Sequence, residues 1–220
     1  MKTVEELIKN SLKELKKIAC ENQESNKNQS SKLIFPQYCG GKQQGNKRIS
    51  EQEARSLFIR EVEKQEVYFY SVETPTKKSY KDFSTNEPKI GEKDGRAASV
   101  DVTLYTKENN KFSRKHLIEF KFGNVKTCKK DFLKLLCDDN ECSTNYYVNI
   151  LDNCDSQTIK SIKKKFKNSV IPKCQDAPNQ KLSELKIFVF IYGENRCKDL
   201  PSNNFLTYIP KSNEFKGEII

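Results

Sequence analysis

Apolar residues first recur with helical spacing at Val4, Leu7, Ile8, Leu12, Leu15 and Ile18, which predicts an amphipathic helix over 3–19. From Glu21 to Arg48 that pattern lapses. Asn, Gln, Ser and Lys dominate, with Gly40-Gly41 and Gly45, and only Leu33 to Tyr38 offers anything to pack. Such a stretch reads as a long loop. Order resumes at Ser50, where Ser50 and Glu53 spell a capping box that opens a helix to about Lys64, with Ala54, Leu57, Phe58 and Val62 on its apolar face.

Beyond Lys64 the period changes from helical to alternating. Val67 to Glu73 reads as a strand stopped by Pro75, followed by a polar excursion from Thr76 to Arg96. Strands are predicted over Ala98–Thr106 and His116–Phe122, then a helix over Lys126–Cys137 and a strand over Asn145–Leu151. A basic helix over Ser156–Lys167 follows, and then Lys186–Tyr192, almost wholly apolar and therefore an interior strand. The order predicts an α/β fold, a mixed central sheet flanked by helices, over 50–220, with 1–49 as an N-terminal helical extension. A chain of 220 residues suits one domain with a substantial core better than two.

The hairpin between 98 and 122 carries the candidate chemistry. Glu108-Asn-Asn-Lys111 supplies turn residues, and a turn centred on Asn110 sets residues whose numbers sum to 220 opposite one another. Asp101 then faces Glu119. Alternation puts Val100, Val102, Ile118, Phe120 and Phe122 on a core face, with Asp101, Glu119 and Lys121 on the other. Two facing carboxylates repel unless a cation lies between them. A hard divalent ion such as Mg²⁺, with Mn²⁺ as a substitute, takes such oxygens, and the carbonyl of Phe120 is a further ligand candidate. Lys121, on the same face, is placed to act on an attacking water or on a phosphorane.

Charge points the same way. Lys and Arg total 40 against 30 acids, a net +10, which favours a polyanionic partner such as nucleic acid. Lys129, Lys130 and Lys134 on the helix after the hairpin, and Lys77 and Lys78 in the polar excursion, are the candidates for phosphate contacts. Lysines 160, 163, 164, 165 and 167 read as a solvated helix face, Tyr68-Phe-Tyr70 as core, and His116 as a surface residue at a strand edge. Eight cysteines include no Cys-x-x-Cys pair, so free structural thiols are expected rather than a zinc site or a disulfide framework. No long apolar run or signal-peptide core is seen, and the expectation is a cytoplasmic protein without a membrane span.

Asp101, a 17-residue gap, and Glu119-Phe-Lys121 at the end of an apolar strand resemble the motif of the PD-(D/E)XK nuclease superfamily, over roughly residues 50–192. The residue before Asp101 is Val100, where that motif carries proline. The resemblance implies a restriction-endonuclease-like fold and Mg²⁺-dependent phosphodiester hydrolysis, on DNA by preference with RNA left open. It implies Asp101, Glu119 and Lys121 as the catalytic set. It also implies an extra glutamate from the preceding helix: Glu51, which shares a face with Ala54, Phe58 and Val62, with Glu53 in reserve. Glu73, near the end of the first strand, is a further acid within reach of the cluster. Such endonucleases often act as homodimers, which the N-terminal helix would serve. The rival reading is a nucleic-acid-binding protein that keeps the fold without catalysis.

Overall fold

The computed structural model describes residues 2–20, 31–41, 44–82, 88–91, 94–124, 126–138, 144–175, 184–193, 204–210 and 212–220. The chain divides into two compact units, Met1–Glu66 with Ile220, and Val67–Ile219. The division falls after the second helix, not at residue 49 as expected.

In the first unit, α1 (Val4–Cys20) buries Val4, Leu7, Ile8, Leu12, Leu15 and Ile18, the stripe its spacing predicts. Lys47 caps its C-terminal end, donating from Nζ to the carbonyls of Ile18 at 3.2 Å and Ala19 at 2.9 Å. The second helix, α2 (Glu51–Glu63), has Ser50 as N-cap with both arms of the capping box formed. Arg60 pairs with Glu14 of α1 at 3.2 Å.

The second unit is built on one eight-stranded sheet, whose strands are β1 (Phe69–Lys81), β2 (Lys89–Ile90), β3 (Arg96–Glu108), β4 (Lys111–Phe122), β5 (Thr144–Leu151), β6 (Glu184–Ile191), β7 (Phe205–Ile209) and β8 (Glu214–Glu218). They lie in the order β2-β1-β3-β4-β5-β6-β7-β8. Pairing is parallel only from β4 through β5 to β6 and antiparallel elsewhere, so the sheet is mixed as expected. Helices α3 (Lys129–Cys137) and α4 (Ser156–Gln175) belong to the same unit. Phe132, Leu133 and Leu136 of α3 and Ile162 and Phe166 of α4 share a core with Val100, Leu117, Tyr147, Ile187 and Val189 of the sheet.

Three departures matter for the site. Pro75 does not stop β1; it pairs with Ser99, and the strand then takes two extra residues before Ser79 pairs with Ala97. A proline lacks the ladder donor, and a bulge beside it is where a sheet tolerates that. The loose amides of Lys77 and Lys78 are not wasted, because they donate to the buried carboxylate of Asp138 at 3.0 and 2.8 Å. Second, α3 begins at Lys129, not Lys126, and is buried from Asp131 to Cys137, Lys134 included. Third, His116 is not at an edge: β4 is an interior strand, and the half-buried ring lies between Tyr68 and Tyr146 with Nδ1 2.7 Å from the Thr144 carbonyl. Burial holds its pKa below the usual histidine value. The thiols of Cys20, Cys39 and Cys128 are free. Among the described residues no helix is long and apolar enough to cross a membrane.

Asp138 joins the end of α3 to this bulge, and also accepts from Tyr80 Oη at 3.1 Å and pairs with Arg114 at 3.4 Å. Asp138→Ala removes the buried acceptor that these donors share, and is expected to cost about 3–5 kcal/mol in urea unfolding. A loss below about 1 kcal/mol would show that the bulge is held by something else.

Candidate functional site

The hairpin that carries the acids is set by two local features. Asn109 and Asn110 both have positive φ, 49° and 60°, and form a two-residue turn with Glu108 opposite Lys111. That turn alone pairs residues summing to 219, as in Tyr105 with Arg114. A bulge at Lys115 then adds one residue to β4, and the pairs become Leu104 with His116, Thr103 with Leu117 and Val102 with Ile118. The sum of 220 expected from a turn centred on Asn110 is reached by the bulge instead. The consequence is decisive, because a one-residue slip turns a side chain to the other face. Continuing the shifted pairing brings Asp101 abreast of Glu119.

At that point the two strands part. The Phe120 amide donates not to a strand carbonyl but to Asp101 Oδ2, at 2.8 Å. The Ser99 carbonyl receives Lys134 Nζ of α3 at 2.7 Å. Strict alternation ends here too: Val100, expected beside Val102, packs in the helix-side core with Leu117. The neighbouring residue on β1, Glu73, has φ of 48°, and its Oε2 accepts from Ser99 Oγ at 2.6 Å. Glu73 is therefore not at a strand end as predicted, but at a kink inside β1, level with Asp101.

Glu119 is almost wholly buried, with 1% of its surface exposed. Oε1 is paired with Lys134, and Lys121 Nζ lies 3.5 Å from Oε2. Lys134 is itself 3% exposed and also meets Asp131 at 3.3 Å. This corrects the assignment of Lys134 to nucleic acid: its ammonium is spent on Glu119, Asp131 and the Ser99 carbonyl. Burial pushes the Glu119 carboxyl up to about 8, with Asp131 and Asp101 adding to the rise and Lys134 and Lys121 opposing it. Burial pulls the Lys134 ammonium down, but Glu119 and Asp131 outweigh it and hold its pKa above the ordinary lysine value.

Lys121 sits at the mouth of this cluster, half-buried near the end of β4. Gly123, with φ of 79°, turns the chain away after it, donating to the Ile150 carbonyl at 2.8 Å. Asn149 pairs with Lys121 across the parallel ladder; its Nδ2 donates to the Gly123 carbonyl at 3.0 Å, and its buried Oδ1 has no partner among the described residues. Asp131, Ser99 and Asn149 were not anticipated. The signal for Asp131 and Lys134 was present: they are polar residues three apart in the otherwise apolar stretch from 131 to 137, Asp-Phe-Leu-Lys-Leu-Leu-Cys.

Glu51 and Glu53 belong to α2 in the first unit, and Glu53 is engaged in its cap, accepting from the Ser50 amide at 2.8 Å. The charges acting on Glu119 are those of Lys134, Asp131, Asp101 and Lys121, all in the second unit. Lys130 and Lys77 are exposed, and Lys129 and Lys78 half-buried. Asp101, Glu119 and the Phe120 carbonyl offer oxygen donors only, the type that suits a hard divalent cation. Among the described residues no three His, Cys, Asp or Glu side chains converge to hold a metal, so an ion here would rest on two carboxylates and draw on water or substrate for the rest. No protein-family model matches this sequence, and neither a curated protein nor a solved structure matches the chain.

A raised carboxyl pKa binds, in the folded state, a proton that the unfolded chain has released. Glu119 therefore lowers stability as pH rises from about 4.5 to about 8, the window between its ordinary and its shifted value. Urea midpoints between pH 5 and 8 should fall more steeply for the parent than for Glu119→Gln. Parallel pH profiles would contradict the assignment of a perturbed carboxyl to this position.

Proposed function

We propose that the second unit is a metal-dependent nuclease of the PD-(D/E)XK kind, with a restriction-endonuclease-like sheet, that hydrolyses phosphodiester bonds in DNA. What carries this reading is the meeting of Asp101 with the Glu119-Phe-Lys121 segment where β3 and β4 part: the Asp101 carboxylate 2.8 Å from the Phe120 amide, and Lys121 3.5 Å from Glu119. Asp101 and Glu119, with the Phe120 carbonyl, would hold Mg²⁺ or Mn²⁺. When bound, the ion supplies a water of lowered pKa and stabilises charge on the attacking and leaving oxygens.

The chain's own residues do the rest. Phe120's amide fixes the Asp101 carboxylate in one orientation. Lys134 neutralises and anchors the inner oxygen of Glu119 from beneath, away from solvent. Lys121, the more exposed of the two lysines, is placed to orient the attacking water and to stabilise charge developing on phosphorus-bound oxygens. Lys77 and Lys130, both exposed, are the candidates for contact with the phosphate backbone.

A second reading has its own support. Glu119 is buried, and both of its oxygens face lysines, so the cluster is also what a protein would keep as a structural ion-pair network while binding nucleic acid without cutting it. Cleavage decides between them. Supercoiled plasmid and short RNA incubated with Mg²⁺, Mn²⁺ or EDTA should show cutting by the parent only with metal. Asp101→Ala and Lys121→Ala, purified identically, should each lose about a hundredfold or more in rate while keeping the fold and substrate binding. Parent and variants cutting alike would sink the site. A parent that binds but never cuts would leave the binding-only reading.

A further inference from the structure

The aromatic run expected to be core is not buried. Phe69 is 46% exposed and Phe112 58%, on adjacent parts of one sheet. Single exposed apolar side chains need no explanation, but these are neighbours. Phe69 stands directly across from Tyr105 in the β1–β3 ladder, and Phe112 across from Lys107 in the β3–β4 ladder. The Phe69 and Phe112 rings are 5.0 Å apart and edge-on, and Tyr105 lies 6.5 Å from Phe112. Ser71 Oγ, 3.0 Å from Tyr105 Oη, steadies the tyrosine ring, and Lys107 Nζ lies 5.8 Å over the face of Phe112.

We propose that Phe69, Tyr105 and Phe112, with Lys107, form a stacking platform for the unpaired bases of a single-stranded nucleic acid. Three observations choose that occupant over a protein. Cations lie close to the rings: Lys107 Nζ is over Phe112, and the tip from 106 to 115 also carries Lys111, Arg114 and Lys115 against one acid, Glu108, with Arg114 paired to Asp138 and Lys115 to Glu108. A protein interface of this kind is instead depleted of charge at its centre. Ring faces beside lysines match what single strands need, namely π-surfaces for bases and cations for the phosphates between them. Position agrees as well. Asp101, Thr103, Tyr105 and Lys107 alternate along one face of β3, so the platform lies on the face of the proposed site, about 13 Å along the strand from Asp101. This placement rests on the nuclease reading and specifies its substrate as one with a single-stranded segment leading to the cut.

Binding can be tested apart from cleavage. In EDTA, anisotropy of a labelled oligodeoxythymidine and of a duplex of equal length is titrated with the parent, Phe112→Ala, Phe69→Ala, Phe112→Tyr and Asp101→Ala. Both alanine variants, altered only at exposed rings, should weaken single-strand binding about fivefold or more with under about twofold change on the duplex. Phe112→Tyr keeps the ring and should bind as the parent does, and so should Asp101→Ala. Equal losses on both substrates, or no loss, would overturn the platform. So would sedimentation showing that Phe112→Ala converts a dimer to a monomer, which would assign the patch to a second copy of the chain. Selective loss of single-strand binding in a parent that never cuts would keep the platform and discard the nuclease.

Discussion

Strand parity at one hairpin governs what the second unit can do. The Asn109-Asn110 turn on its own sets Tyr105 against Arg114, a pairing that, carried inward, would put Asp101 opposite Ile118 and leave Glu119 on the other face. One extra residue, Lys115, changes that. The bulge costs local hydrogen bonding but brings both acids to the same face, and bulges next to functional sites commonly re-aim side chains in this way. The strands then separate, and the vacancy in the ladder is filled by side chains: Asp101 takes the Phe120 amide, and Lys134 takes the Ser99 carbonyl.

Burial then decides how the acids behave. A carboxylate as enclosed as Glu119 is costly to ionise, and its attraction to Lys134 repays that cost only when the remaining polar atoms are also engaged. Lys134 meets this condition with three oxygen partners, from Glu119, Asp131 and Ser99. The outcome is an anchored inner acid and a more exposed outer one. Asp101 and Lys121 are half-buried, more open than Glu119 and Lys134. The polar face expected from alternation alone is in the structure a buried cluster of Glu119 with Lys134 and Asp131 of α3, with Lys121 on its more exposed side.

The parts legible in the sequence were those written in local chemistry. The capping box at Ser50, the stripe of α1, the apolar run of β6 and the Asn-Asn turn each act within a few residues, and each appears where its pattern places it. What was misread depended on tertiary partners. Pro75 looked like a stop, but Asp138, more than sixty residues away in the chain, takes the amides that its bulge releases. Lys134 looked like a surface cation because lysine usually is one; only the apolar residues on every side of it in α3 betrayed its burial. Strands β7 and β8 were missed because they are short, and β8, an edge strand with Glu, Lys and Gly among its five residues, carries no apolar alternation to detect. Phe69 was read as core because aromatic runs usually are, and its exposure follows from the open end of the hairpin.

The claim on which the account turns is that Asp101 and Glu119 together make one cation site. Titration of the metal-free protein with Mn²⁺, followed by electron paramagnetic resonance of the free ion, measures that without reference to any substrate. The account predicts a site present in the parent, lost in Asp101→Asn and in Glu119→Gln, and retained in Lys121→Ala. Undiminished Mn²⁺ binding in both carboxylate variants would contradict it.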